Sequence, residues 1–154
     1  MGVGKTAVCQ RIKQKVSPSV FLDGDWCWDS HPFQVTEETK AMVMRSICFQ
    51  LNQFLHCPAY DHIIFCWVMH EQRILDEILA GIDGTDCRIK AVSLVCEPGT
   101  LRARLEKDIA AGIRTQESIS RSVERLALYE ALDTIKIHTD HMSVQRVADA
   151  IIAL

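Results

Sequence analysis

The chain opens Met1-Gly2-Val3-Gly4-Lys5-Thr6-Ala7. Gly4-Lys5-Thr6 is the closing half of the phosphate-binding loop G-x-x-x-x-G-K-[ST], and no other stretch so narrows what can surround it. In that motif glycine lets backbone N–H groups close around phosphates. The lysine reaches the β- and γ-phosphates, and the hydroxyl holds Mg²⁺. The residues that follow, Ala7, Val8, Ile12 and Val16, keep an apolar helical spacing. They predict a helix from Thr6 to Val16, ended by Ser17-Pro18, with the anions at its N-terminus, where orphan N–H groups and the helix dipole both favour negative charge. The motif is only half present. Counting five residues back from Gly4 places the opening glycine at position −1, and the hydrophobic strand that should feed the loop is also missing.

The rest of the sequence reads as one ordinary globular domain. Its 154 residues suffice for a sizeable core, and 48% are apolar against 24% charged. A net charge of −3 gives no basic footprint for nucleic acid. No apolar run reaches the roughly 18 residues that span a bilayer, and the opening does not read as a signal peptide. Seven cysteines form no C-x-x-C pair and mostly sit in apolar runs. They predict buried, reduced thiols in a cytoplasmic protein and no zinc site.

Strands and helices are expected to alternate. Ser19 to Leu22 is a short apolar run that delivers Asp23-Gly24-Asp25 to the edge of a sheet. An aromatic loop follows with Trp26, Trp28 and Phe33. Thr36 then caps a long helix that carries Met42, Val43, Ile47, Leu51 and Leu55 and is stopped by Pro58. His62 to Met69 reads as a strand buried on both faces, Glu71 to Leu79 as a helix, and Arg88 to Cys96 as a strand. Pro98 opens a helix through Asp108. Thr115 to Leu132 reads as a second helical stretch, Thr134 to His138 as the last strand, and a final helix runs to Leu154, with Asp140 as its candidate cap. This alternation predicts a parallel sheet with helices on both faces. Its ligands would lie beyond the strands' carboxyl ends, at Asp23/Asp25, His70/Glu71, Glu97 and Thr139/Asp140.

The half loop, the Asp-Gly-Asp after the first visible strand and an arginine-rich segment near residue 100 together resemble the small P-loop kinases. These comprise the nucleoside-monophosphate, shikimate, gluconate and adenylylsulfate kinases, with the antibiotic phosphotransferases and tunicamycin-resistance-type proteins beside them. The resemblance covers the whole chain. It implies a three-layer α/β P-loop NTPase fold in a single domain, residues 1–154, with a small lid around 106–122. The sheet order implied is 2-3-1-4-5 once an upstream strand is counted. That strand would be the central one, and a sheet without it would leave buried N–H and C=O groups unpaired at about 1–3 kcal/mol each. A domain of about 5–15 kcal/mol does not carry such a cost. The expectation is therefore that the native chain continues upstream through an apolar strand and that residues 1–154 alone fold poorly.

The resemblance also implies roles for particular residues. Gly2, Val3, Gly4, Lys5, Thr6 and Ala7 would hold ATP, with Lys5 also acting in transfer and Thr6 on Mg²⁺. Phe21-Leu22-Asp23-Gly24-Asp25 matches the F-L-D-G-D of gluconate kinases and the L-D-G-D of adenylylsulfate kinases. In such enzymes a carboxylate there takes the acceptor hydroxyl's proton or orders water around Mg²⁺, and either Asp23 or Asp25 could serve. A plain turn is the other reading of these residues. Leu101-Arg102-Ala103-Arg104-Leu105 resembles the family's L-x-x-R-L, which places Arg104 on the adenine. Arg114 and Arg125 stand eleven residues apart (125 − 114), like the R-x10-R-L of nucleoside-monophosphate kinase lids. Two guanidiniums so spaced can converge on the transferring phosphoryl group; solvated helix arginines paired with Glu106, Glu117 and Glu124 are the alternative. Asp140 falls at the adenine-contacting loop, and Arg45 on the helix that faces the acceptor in relatives.

Three departures qualify the match. The third expected strand ends Trp67-Val68-Met69-His70, without the Asp that many P-loop proteins place there for Mg²⁺-bound water. The gluconate-kinase R-x-x-H-F is absent. Trp26, Trp28 and Phe33 stand where small or charged residues are usual, as an aromatic wall for a planar acceptor or as a lid's own small core. The reading is an ATP- and Mg²⁺-dependent phosphotransferase acting on a small molecule or a nucleotide. Its alternatives are an ATP-binding module that transfers nothing and an ATPase coupled to a partner protein.

Overall fold

The computed structural model describes residues 2–84, 86–112 and 116–154. Helix α1 (Lys5–Lys15) leaves the glycine loop and leads to strand β1 (Ser19–Asp23), a 3₁₀ turn (Gly24–Trp28) and helix α2 (Glu37–Leu55). Strand β2 (His62–Cys66), α3 (Gln72–Gly81), β3 (Val92–Val95) and α4 (Pro98–Ala110) follow. The chain closes with α5 (Glu117–Glu124), α6 (Leu126–Glu130), β4 (Ile135–His138) and α7 (Val144–Ile152).

All strand pairing is parallel. β1 runs beside β2 from Ser19↔His62 to Asp23↔Cys66, and β3 beside β4 from Val92↔Ile135 to Val95↔His138. Among the described residues the two pairs share no ladder. Side chains tie them together instead. Successive strand residues point to opposite faces, so Phe21, Ile64 and Cys66 pack on one face of the first pair against Val8 and Ile12 of α1 and Val147 and Ala148 of α7. Leu94 of β3 and Ile137 of β4 reach the same cluster. On the other face Leu22 meets Val43, Ile47 and Leu51 of α2 and Ile78 of α3. A third cluster joins Cys96, Leu101 and Leu105 to Ile119 of α5, with Val3 of the glycine loop packed against it. The result is mixed α/β with helices on both sides of parallel strands, as the sequence predicts.

Several boundaries differ from expectation. β2 stops at Cys66 because its ladder partner β1 turns into the 3₁₀ segment after Asp23, and Ile63 and Phe65 are half-buried rather than buried. β3 is short because its approach is exposed: Ile89 lies open, and the first ladder bond is the Ile135 N–H to the Ala91 carbonyl. The expected helix over 115–132 is two helices that meet at Arg125. There the Leu128 N–H bonds the Arg125 carbonyl, three residues back instead of four, tightening the chain into a turn. Ser143, not Asp140, caps the final helix, accepting from the Arg146 N–H. Thr36 caps α2 as expected, in a reciprocal box with Thr39.

Ile47 is fully enclosed between α2 and β1. Ile47→Ala should lower the free energy of unfolding by about 2–5 kcal/mol, read from urea denaturation.

Candidate active site

Two glycines shape the loop at the head of α1. Gly4 is its N-cap with φ 91°, a left-handed conformation that only glycine takes without strain, and it offers no side chain to the helix's first N–H groups. Gly2 (φ 80°) lies so close to α4 that a Cβ there would stand 2.7 Å from Leu105 Cδ2 and 3.0 Å from Leu101 Cδ1. Val3, in the same cluster, seats the loop on α4. Lys5 follows half-buried, and Thr6 and Ala7 are exposed at the start of the helix.

Thr6 Oγ1 donates to Asp23 Oδ2 at 2.8 Å, so the phosphate loop is bonded to the carboxyl end of β1. Asp23 is 5% exposed, and its Oδ1 accepts from the Asp25 N–H at 3.2 Å. The two aspartates therefore differ: Asp23 is buried against Thr6, while Asp25 is exposed at the surface. A hydroxyl and a carboxylate are hard oxygen donors. Mg²⁺ takes one or two such ligands and completes its shell with phosphate oxygens and water. Thr6 and Asp23 fit that requirement. Among the described residues no cluster of three or more His, Cys, Asp or Glu competes as a metal site.

At the other end of the loop, α4 holds the turn after β4. Arg104 donates from Nη1 to Thr139 Oγ1 (2.9 Å) and from Nη2 to the Thr139 carbonyl (2.8 Å). Thr139 is itself buried and bonded to Val95. Asp140 accepts from the Glu97 N–H at 3.1 Å. The Thr100 hydroxyl, that N–H and the nearby Arg104 charge hold its carboxyl below the usual carboxylate range. His141 next to it has φ 57°. Thus Arg104 and Asp140 lie together at one loop; the sequence marks Thr139 only as a strand-end residue, not as the anchor for Arg104.

Arg125, at the junction of α5 and α6, stands near His70 just beyond β2. His70 Nε2 faces Glu71 Oε1 at 3.5 Å, and Nδ1 is buried without a well-formed hydrogen bond among the described residues. Burial first, and then the Arg125 charge, push the imidazole pKa down against the opposing pull of Glu71 and the Val68 carbonyl. Arg114 lies outside the described residues. Arg45 is exposed on α2, where it lines an open groove of about 420 Å³ with Met42 and Phe49. The turn that marks it off from Val43 and Ile47 places it away from the face packed on β1.

A glycine loop closing on a helix N-terminus, with Lys5, Thr6 and a strand-end aspartate, defines a P-loop protein. The family model described as AAA domain matches residues 1–125, and the chain belongs to that family. Its fold is that of the small P-loop kinases. The tunicamycin resistance protein of Deinococcus radiodurans superposes with a TM-score of 0.70 at 15% identity, covering 99% of this chain and 88% of its own. A sugar kinase from Janibacter gives 0.70 at 17%, covering 99% and 87%. A gluconokinase from Sinorhizobium meliloti gives 0.66 at 15%, again covering 99% and 87%. No curated protein matches the sequence significantly.

The depressed His70 pKa makes a stability prediction. Between the folded pKa and the unfolded value near about 6.5, the unfolded chain binds more protons, so stability falls as pH drops through that window. His70→Gln should lose less Tm than the parent between neutral pH and mildly acidic buffer. Parallel Tm curves for the two proteins would contradict this.

Proposed function

We propose that the protein is an ATP-dependent phosphotransferase that acts on a small acceptor. The carrying observation is the Thr6–Asp23 hydrogen bond, which places a buried strand-end carboxylate directly beside the phosphate loop. In this reading Gly2 to Ala7 hold the triphosphate and Lys5 reaches its outer phosphates. Thr6 and Asp23 would hold Mg²⁺, which when bound supplies charge neutralisation on the phosphates. Arg104 and Asp140, anchored on Thr139, form the rim for the base.

Asp25, exposed at the mouth of the site, takes the acceptor hydroxyl's proton. The acceptor oxygen bonds to the γ-phosphorus, the bond from that phosphorus to the bridging oxygen breaks, and ADP leaves. Arg125 from one side and Arg114 from the lid, around 106–122, steady the charge on the phosphoryl group in flight. The fold relationship to a sugar kinase and a gluconokinase supports this assignment.

A second reading, a nucleotide-binding module without transfer, is favoured by one feature. His70 stands in the region after β2 where many P-loop proteins keep an aspartate for metal-bound water. One substitution tests the nucleotide site that both readings share, and a second separates them. Lys5→Ala should weaken ATP binding by at least about 1.5–3 kcal/mol, measured by calorimetry, while the thermal midpoint stays within a few degrees. Arg125→Lys keeps the charge but loses the bidentate fork. For a kinase, kcat should drop by roughly a thousandfold with ATP affinity nearly unchanged. A parent protein that binds ATP yet releases no ADP with any acceptor would establish the module instead.

A further inference from the structure

The acceptor side of the site is aromatic and acidic. Trp67, the residue after β2, packs closely against the backbone just past Asp23: a Cβ on Gly24 would stand 2.5 Å from its Cγ. Trp28 continues the row with its ring centroid 6.5 Å from that of Trp67, and Phe33 extends it at 5.3 Å from Trp28. The Trp28 indole N–H donates to the Gln34 carbonyl at 3.2 Å, which fixes the ring. Trp28 and Trp67 also pack against the cluster under α2 and α3, so the inner part of the row is structural. Phe33 is outside that cluster and is 62% exposed. The row thus starts at the backbone beside the buried carboxylate and ends in an open ring face.

Charge narrows the occupant. From Val16 through Thr39 the chain has no Lys or Arg, but it has Asp23, Asp25, Asp29, Glu37 and Glu38, and Lys40, which follows, is already paired with Glu37 at 2.8 Å. A carboxylate or phosphate brought here would meet like charge without a matching cation from this segment. A planar ring meets offset and tilted aromatic partners and removes the exposed face of Phe33 from water.

We infer that the acceptor subsite takes an alcohol carrying a planar ring and no negative charge, and that Phe33 on its Trp28 support sets this preference. The inference rests on the phosphotransferase reading for the chemistry at the hydroxyl, but ring binding is measurable without it. The test uses uridine and phenylethylene glycol as ring-bearing neutral alcohols, with gluconate and ribose as ringless comparators. Binding is followed by tryptophan fluorescence without ATP, and turnover by ADP release with ATP·Mg²⁺.

The expected result is quenching and ADP release with the ring-bearing probes alone. In Phe33→Ala, KM for these probes should rise roughly three- to tenfold, as the loss of one aromatic contact implies. Their kcat and the ATP KM should hold, with recovery in Phe33→Tyr. Because Phe33 lies outside the core, an unchanged Tm serves as the folding control. Turnover of gluconate or ribose in preference, ring-probe KM values untouched by Phe33→Ala, or no quenching by either ring probe would each overturn the inference. Ring binding that depends on Phe33 without ADP release from any acceptor would support the subsite and sink the kinase reading alone.

Discussion

The hydrogen bond from Thr6 to Asp23 ties two segments that the chain builds independently. Thr6 is placed by the helix that follows the glycine loop. Asp23 is placed by the last ladder position of β1 against Cys66 of β2. A buried carboxylate with one oxygen on a hydroxyl and the other on a backbone N–H is satisfied where an unpaired one would be costly. The arrangement is therefore stable without ligand, yet it consists of the oxygen donors that a hard cation prefers.

The position of α1 makes that contact reproducible. Val8 and Ile12, about one turn apart on α1, bury against Phe21 and Ile64, so apolar packing holds the helix against the strand that carries Asp23. Leu94 and Ile137 meet the same cluster. Both strand pairs thus share this cluster, although their backbones share no ladder among the described residues.

Much of this was legible in the sequence. The glycine loop, the alternation of strand and helix, the capping of α2 by Thr36 and the opening of α4 at Pro98 each follow from local chemistry that tertiary structure has no reason to override. The errors lie where tertiary contacts decide. Trp67 and Met69 continue an apolar run that reads as strand, but their partner β1 turns into a 3₁₀ segment after Asp23, which ends the ladder at Cys66. Asp140 precedes a helix and so looks like its cap, whereas its oxygens accept the Glu97 N–H from a segment distant in sequence. The Thr6–Asp23 contact was likewise beyond periodicity, since seventeen residues separate its partners. Of the aromatic residues, spacing could not say which were core and which were surface; packing divides them between Trp28 and Trp67 on the inside and Phe33 outside.

α4 links the two ends of the proposed nucleotide site. Leu101 and Leu105, on one face, lie under Gly2 at distances that leave no room for a Cβ, and they are among the most deeply buried side chains of the molecule. Arg104, between them in sequence, projects from an adjoining face and grips Thr139 with two bonds, one to a hydroxyl and one to a carbonyl. A helix is stiff over the single turn that separates these residues. The spacing between the phosphate loop and the turn after β4 is thus set by one rigid piece rather than by two flexible loops. Asp140 adds a second tie, since its acceptance of the Glu97 N–H fixes that turn to the start of the same helix. Any displacement of α4 would then move the loop and the turn together and preserve their separation. If a nucleotide is held at phosphate and base as proposed, that fixed separation matters more than the immobility of either point.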